Sequence, residues 1–197
     1  MIDPRGWIIT NNHIIPVKYD SDDPKWSCIV TIPDPESGEA REIYYGDPQV
    51  SQELSGKYDL AFIKITGAYV DPETTKKLGE FPKVFKAYNE DRYCNKRGKL
   101  VLGEKIRLYG YPGLSGGENL TITEGIVSAL KPDEGLIITS AKISHGNSGG
   151  LAVDENGCKV GIPFMVTSDE NESLGYILSW DIVEQFYKEL LALPDAK

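Results

Sequence analysis

The stretch Ser144-His145-Gly146-Asn147-Ser148-Gly149-Gly150 surrounds one serine with small, turn-forming residues. A serine hydroxyl is a weak nucleophile at neutral pH. It needs a base to take its proton and donors for the oxyanion that forms when it attacks a carbonyl. Glycine permits a tight turn in which the N–H groups of Gly146 and Ser148 point to one place. The pattern indicates a nucleophile loop with an oxyanion hole; the alternative is a flexible turn, because Gly, Asn and Ser dominate ordinary turns.

The composition is that of an ordinary globular protein, with 197 residues, 40% of them hydrophobic and 26% charged. This length allows one large domain or two small lobes. The net charge of −9 argues against non-specific binding to nucleic acid or anionic lipid. No apolar run reaches the roughly 20 residues of a membrane span. We expect no cofactor and no metal ion.

Three cysteines, Cys28, Cys94 and Cys158, are widely spaced and odd in number. They match neither a disulfide framework nor a zinc-binding set. We therefore expect three unpaired thiols, which slightly favour a cytoplasmic location, as does the lack of a visible signal peptide. A chain trimmed of its leader would have the same sequence, so the location stays open.

Short strand-like runs separated by turn signals recur about every 8–12 residues, a spacing typical of barrels and sandwiches. The run over 120–130 is expected to bend at Gly125, as a strand does at a barrel corner. Residues 72–78 predict the start of a short helix. A helix over 181–193 closes the chain, and its apolar stripe is expected to pack against a barrel. The prediction is an all-β protein with one closing helix.

Three residues with complementary chemistry lie at predicted strand ends or in the adjoining loops, in the order His13, Asp59, Ser148. A hydroxyl, an imidazole base and a carboxylate that orients the base are what acyl transfer needs. The only other histidine is His145. On their own, His13 also fits a structural residue at a strand end, and Asp59 also fits a solvated strand cap.

Five stretches carry a resemblance to a known family: residues 10–15, 58–65, 123–130, 146–150 and 175–179. In order and spacing they resemble the motifs of the trypsin-like serine proteases, and the closer match is the HtrA branch. The resemblance implies two antiparallel β-barrels of the chymotrypsin fold and a C-terminal helix. The N-terminal barrel would span 1–97 and carry His13 and Asp59, and the C-terminal barrel would span 98–197 and carry Ser148.

The resemblance also implies roles for these residues. His13 would be the general base, Asp59 would fix its tautomer, and Ser148 would form the acyl-enzyme. The backbone N–H groups of Gly146 and Ser148 would bind the oxyanion. In the digestive branch of the family an aspartate precedes the nucleophile and pairs with a freshly cut N-terminus. Asn147 has no charge to do so, and activation by such cleavage is not expected.

Substrate preference follows from the same resemblance. Ile143, Val166 and Thr167 would line the primary specificity pocket, which predicts cleavage after small or medium aliphatic residues. The backbone from Phe164 to Val166 would pair with an extended substrate as an added strand. Lys142 near the pocket leaves open a preference for an acidic residue.

The chain also departs from the family pattern. It starts too late for the usual Gly-Ser-Gly strand of the first barrel, so we expect either that the N-terminus was trimmed or that the first barrel is one strand short with its edge covered otherwise. The usual PDZ module is not expected, since the sequence ends after the closing helix. The aromatic segment that trimerises many members is missing, so the oligomeric state is open. We expect a serine endopeptidase whose partner is an exposed or partly unfolded polypeptide. The alternative is a catalytically silent or ligand-gated peptide-binding module on the same fold.

Overall fold

The computed structural model of the protein describes most of the chain and separates it into two compact units. One unit consists of Met1–Ser55 with Asp59–Tyr88, the other of Gly56–Tyr58 with Asn89–Lys197. The boundary predicted between residues 97 and 98 lies outside the described residues. Side chains are also not described at 33, 40, 165–169, 172–173 and 191. The described residues are 4–16, 28–34, 36–37, 40–49, 54, 57–77, 79–85, 99–113, 119–169 and 172–192.

The first unit is an antiparallel sheet whose four described strands run in the order β1-β4-β3-β2. Its core gathers Tyr44, Ile65 and Phe85, and the rings of Tyr44 and Phe85 meet edge to face with centroids 5.5 Å apart. A 3₁₀ turn at Asn12–Ile14 follows the first strand. The strands are β1 Trp7–Asn11, β2 Cys28–Pro33, β3 Ala40–Gln49 and β4 Leu60–Ala68.

The second unit contains a closed antiparallel barrel with the strand order β10-β7-β6-β5-β8-β9. Its interior is filled by branched aliphatic side chains, and a Leu or Ile buried in this way contributes about 1.5–3 kcal/mol. Fully buried members include Ile106, Leu108, Val160 and Ile177. The strands are β5 Lys105–Gly110, β6 Thr121–Lys131, β7 Leu136–Thr139, β8 Leu151–Asp154, β9 Lys159–Asp169 and β10 Glu172–Ser179.

The bend predicted at Gly125 lies where β6 changes its partner strand. Up to Ile126 this strand pairs with β5, and from Val127 it pairs with β7. A side chain at position 125 has no room, because a Cβ there would lie 2.2 Å from the backbone nitrogen of Ala141. The glycine therefore allows the close backbone approach at the barrel corner.

The closing helix, Trp180–Ala192, begins one residue earlier than predicted and packs against β9 and β10. Val183 and Phe186 on its apolar stripe are buried. Position 193, the predicted end, lies outside the described residues. Within the described part of the chain, no helix has the length and apolarity to cross a membrane. With its sheet, its closed barrel and this helix, the described part of the chain is mostly β, as predicted. The first unit, predicted as a barrel, has a four-stranded sheet in its described residues.

The helix predicted to start near residue 72 is wrong. Pro72–Thr74 form a turn instead, and the Asp71 carboxylate accepts hydrogen bonds from the backbone N–H groups of Glu73 and Thr74 and from the Thr74 hydroxyl. These bonds also hold the pKa of Asp71 below its usual range. A side chain that bonds to its own backbone offers a local alternative to a helix.

The prediction of three unpaired thiols is also wrong, because Cys158 is disulfide-bonded. Cys28 is a free, half-buried thiol whose pKa is raised by burial and by the nearby Asp47 charge. Cys94 lies outside the described residues. Spacing along the chain did not reveal the pairing, since a disulfide depends on which Cβ atoms the fold brings close together.

Candidate functional site

In the first unit, the Asp59 carboxylate holds His13 at two points. The backbone N–H of His13 donates to Asp59 Oδ1 at 3.0 Å, and the imidazole Nδ1 lies 2.7 Å from Oδ2. An ionised carboxylate can only accept hydrogen bonds, so Nδ1 carries the proton and Nε2 is left as the acceptor. This is the tautomer that a general base requires.

Asp59 is itself fixed by the end of strand β1. Its carbonyl accepts hydrogen bonds from the backbone N–H of Asn12 at 3.0 Å and from the side-chain amide of Asn11 at 3.1 Å. Asn11 is fully buried and pairs with Leu60 across the β1–β4 ladder. Asp59 has a φ of +51°, which is uncommon for a residue with a side chain. The contacts of Asn11 and Asn12 hold the aspartate in this conformation.

The His13–Asp59 contact is open to solvent. The side chains are 48% and 33% exposed, and an ion pair at such a position contributes about 0–1 kcal/mol to stability. The contact matters for geometry rather than for stability, because two hydrogen bonds to one carboxylate fix both the position and the rotation of the imidazole ring.

In the second unit, the Ser148 loop (residues 144–150) begins with a tight turn. The backbone N–H of Asn147 donates to the Ser144 carbonyl at 3.0 Å, and Gly146, the third residue of the turn, has a φ of +97°. His145 is not among the described residues with positive φ. This combination defines a type II turn, which requires a residue such as glycine at its third position.

The segment after β5 fixes the orientation of that turn. The N–H of Gly113 donates to the His145 carbonyl, and the N–H of Tyr111 donates to the Gly146 carbonyl, each at 3.0 Å. In a trans peptide the C=O and N–H point in opposite directions, so the Gly146 N–H points away from Gly113. The sequence does not reveal these contacts, because hydrogen bonds between main-chain groups leave no side-chain signature.

Two backbone N–H groups next to the Ser148 hydroxyl have no acceptor in the described part of the chain. Within the described residues, neither the N–H of Gly146 nor that of Ser148 donates to a protein acceptor. The Ser148 hydroxyl donates to the Phe164 carbonyl at 3.3 Å, which places it beside strand β9. Free, preset N–H groups beside a hydroxyl are the geometry that stabilises an oxyanion.

Asn147 ties the loop together from inside. Its side chain is 1% exposed, and its Oδ1 accepts hydrogen bonds from the backbone N–H and the hydroxyl of Ser144, both at 3.1 Å. Among the described residues, its Nδ2 has no partner. A neutral amide can occupy this buried place without a counter-charge, whereas a carboxylate needs one.

We predict that Gly146→Ala lowers kcat by about 10²–10³-fold, the usual effect of losing one oxyanion donor. A Cβ at this position would lie 2.2 Å from the Tyr111 carbonyl oxygen, and φ is already in the left-handed region. The turn would have to change its peptide orientation. The measurement is kcat on an unfolded protein substrate. Gly113→Ala is the matched control, because nothing lies within 4 Å of a Cβ there and its N–H is kept. Equal effects of the two substitutions would contradict the prediction.

The residues predicted to bind substrate lie in different surroundings. Ile143 is 8% exposed and belongs to the barrel core. It packs against Gly175, where a Cβ added to the glycine would lie 2.4 Å from Ile143 Cδ1. The Phe164 ring packs edge-on against Tyr176 with centroids 6.3 Å apart. The backbones of Val166 and Thr167 pair with strand β10, and their side chains lie outside the described part.

Strand β9 has one free edge beside Ser148. It pairs with β10 as far as Asp169, but with β8 only through Lys159 and Gly161. From Phe164 onward, no other described strand of this unit pairs with that edge. An unpaired strand edge can accept an extended peptide as an additional strand.

The structure thus brings His13 and Asp59 together in the first unit, and Gly146, Ser148 and Phe164 together in the second. In the described residues, no three His, Cys, Asp or Glu side chains form a group that could hold a metal ion. The chemistry available is that of an oriented imidazole, a hydroxyl and two free backbone donors.

Comparison with protein families gives one match over most of the chain. The model described as the trypsin-like peptidase domain matches residues 1–162. This range includes all the residues predicted to be catalytic or to form the oxyanion hole.

The curated relatives include bacterial serine endoproteases. The chain is 28% identical over 203 residues to the serine endoprotease DegS of Escherichia coli (strain K12), covering 97% of this chain and 47% of DegS. It is 30% identical over 185 residues to the probable periplasmic serine endoprotease DegP-like of Brucella suis, covering 89% of this chain and 28% of that protein. The chain therefore spans less than half the length of either relative.

A solved structure shows the same fold. The serine endoprotease from Yersinia pestis superposes with a TM-score of 0.64 at 24% identity, covering 98% of this chain and 56% of that chain. This similarity extends the comparison beyond residue 162, since it includes the end of the barrel and the closing helix.

Proposed function

Because the chain belongs to the family of trypsin-like peptidases, we propose that it is a serine endopeptidase that cleaves exposed or partly unfolded polypeptides. The observation that carries the proposal is the turn beside Ser148: among the described residues, the N–H groups of Gly146 and Ser148 donate to no protein acceptor, and we infer that they bind the oxyanion. A loop that served only as a connection would not need the hydrogen bond from the Gly113 N–H that fixes the His145–Gly146 peptide.

In the proposed mechanism, His13 Nε2 takes the proton of the Ser148 hydroxyl while the oxygen attacks the substrate carbonyl. The Asp59 carboxylate stabilises the imidazolium through the hydrogen bond from Nδ1, which is 2.7 Å long. The oxyanion is bound by the N–H groups of Gly146 and Ser148. His13 then protonates the leaving amine, and an acyl-enzyme on Ser148 remains.

Water hydrolyses the acyl-enzyme through the same groups in the second half of the reaction. His13 removes a proton from the water, and the second oxyanion uses the same two N–H groups. When the acyl group leaves, the proton returns to Ser148. The cycle consumes one water for each peptide bond and needs no cofactor.

The proposed substrate is an extended chain that joins the free edge of β9. Such pairing reads main-chain groups and therefore accepts many sequences, provided that the segment is unfolded. The buried, aliphatic Ile143 supports the proposed preference for a small or medium aliphatic residue before the cleaved bond. Phe164, Val166 and Thr167 complete the proposed binding surface.

The test is labelling with a fluorophosphonate, with the adduct located by mass spectrometry. This probe reacts with a serine only when base and oxyanion donors act on it together. We expect one adduct, on Ser148, that is absent from Ser148→Ala and weaker in His13→Ala. The labelling is run with and without an unfolded protein, because a bound peptide can order a loop.

The absence of an adduct under both conditions would overturn the proposal and leave a peptide-binding module on a protease fold. An adduct on another serine would show that the nucleophile is misassigned. Cleavage sites from a digested unfolded protein then test the aliphatic preference. Cleavage mainly after acidic residues would instead implicate Lys142.

A further inference from the structure

The chain segment just before Asp59 is anchored to the closing helix. Lys57 and Tyr58 belong to the second unit together with this helix, whereas Asp59 begins a segment of the first unit. The Tyr58 hydroxyl donates to Glu189 Oε1 at 2.7 Å, and Lys57 Nζ lies 2.9 Å from Oε2. From this arrangement we propose that Glu189 is a positioning residue for the Asp59–His13 pair. The inference rests on the proposed function.

Glu189 is the centre of the anchor. Besides Tyr58 and Lys57, Gln185 donates to its Oε1 at 3.1 Å from one turn earlier in the helix. Lys57 Nζ also lies 4.5 Å from the centre of the Tyr58 ring, a cation–π contact. The three donors lower the pKa of Glu189 to about 2. The carboxylate therefore keeps its charge, and with it the anchor, throughout the neutral pH range.

Tyr58 is held by packing as well as by its hydroxyl. The residue is 6% exposed, and its ring meets Phe186 with centroids 5.7 Å apart at 65°. Phe186 is itself 1% exposed. A buried ring with a hydrogen-bonded hydroxyl has little freedom to rotate. The closing helix thereby holds the Tyr58 side chain at two points: Phe186 contacts its ring, and Glu189 accepts a hydrogen bond from its hydroxyl.

Asp59 follows Tyr58 directly, and its conformation determines the position of His13. Asp59 has a φ of +51°, and its two carboxylate oxygens hold His13 at 3.0 and 2.7 Å. One peptide bond joins Tyr58 to Asp59, so an anchored Tyr58 fixes the direction in which the chain enters the strained residue. The contacts of Asn11 and Asn12 hold the Asp59 carbonyl from the other side. Without the anchor, only that side of the strained conformation is held.

Stability alone does not account for this cluster. The side chains of Lys57 and Glu189 are 54% and 33% exposed, and ion pairs at such positions stabilise a fold little. The helix already has Val183 and Phe186 buried in its apolar stripe. A hydrogen-bonded, charged cluster directly before a strained aspartate is better explained by the precision it gives to Asp59.

The test compares Tyr58→Phe, which removes one hydroxyl and keeps the ring, with Glu189→Gln. The control is Glu184→Gln on the same helix, because the Glu184 side chain is 56% exposed and forms a long ion pair with Lys188 at 3.9 Å. The first readout is the fluorophosphonate labelling rate of Ser148. The second is the proton resonance of the His13 Nδ1–H bonded to Asp59. Since the chain has only two histidines, His13→Ala assigns it.

We expect Tyr58→Phe and Glu189→Gln each to lower the labelling rate about tenfold, with kcat reduced and KM unchanged. The Nδ1–H resonance should move upfield or disappear, and the double variant should lose little more than either single one, since both act through one contact. Wild-type labelling and an unchanged resonance in both variants would overturn the inference. An unlabelled wild type whose resonance still changes in the variants would count against the proposed function alone.

Discussion

The Asp59→Asn variant is expected to hydrolyse peptide bonds about 10⁴ times more slowly than the wild type, with its fold intact. The backbone N–H of His13, 3.0 Å from Oδ1, requires an acceptor, so it selects the carbonyl oxygen of the new amide. The NH₂ group must then occupy the place of Oδ2, 2.7 Å from Nδ1. An NH₂ group donates, which forces Nδ1 to accept and moves the ring proton to Nε2. In that tautomer, His13 cannot take the proton of Ser148.

Two measurements check this expectation. One is kcat on an unfolded protein, and the other is the nitrogen spectrum of His13, which reports which ring nitrogen carries the proton. Asp47→Asn is the control, because Asp47 lies in the same unit and accepts a hydrogen bond from Gln49. A fall of less than tenfold, or an unchanged tautomer at full loss of activity, would contradict the explanation.

Ser148→Ala is expected to have the larger effect, a loss of about 10⁶-fold in kcat at nearly constant KM. In the proposed mechanism the Ser148 hydroxyl oxygen forms the acyl-enzyme, whereas the proposed substrate pairing with β9 uses main-chain groups. Stability should hardly change, since the hydrogen bond that this hydroxyl donates to the Phe164 carbonyl is long, at 3.3 Å. Residual turnover above the rate in water should persist, because the two oxyanion donors remain.

The experiment measures hydrolysis over long incubations, together with the melting temperature. Ser140→Ala provides the control, since Ser140 is exposed and its hydroxyl accepts a hydrogen bond from the Ile126 backbone N–H. Residual activity within a hundredfold of the wild type would mean that another nucleophile carries the reaction. A large fall in melting temperature would mean that Ser148 is chiefly structural.

Motifs that repeat a known spacing were predictable from the sequence. The pattern of residues 58–65 predicted Asp59 at the start of a strand, and the structure places it directly before β4, in contact with His13. The glycines around Ser148 predicted a tight turn, and Gly146 lies in one with a φ of +97°. Local chemistry determines both features. That His13 and Asp59 act together with Ser148 stays a prediction from the family resemblance.

Contacts made by backbone atoms over long separations were not predictable. The Gly113 N–H that holds the His145 carbonyl has no side chain to reveal it. The pair formed by Tyr58 and Glu189 spans 131 residues, and in the sequence Glu189 looks like any exposed position of an amphipathic helix. The turn at Asp71 was mistaken for a helix because Glu, Thr and Lys fit either structure until the carboxylate's bonds are seen.

The contact between His13 and Asp59 uses few parts. It needs the end of one strand, one 3₁₀ turn and the residue just before a neighbouring antiparallel strand, with both carboxylate oxygens directed to a single residue. All of these parts come from two neighbouring strands of one sheet, so the arrangement is a compact template for protein design. A designer who copies Asn11, Asn12, His13 and Asp59 onto another antiparallel pair would transfer an oriented imidazole together with the backbone bonds that orient it.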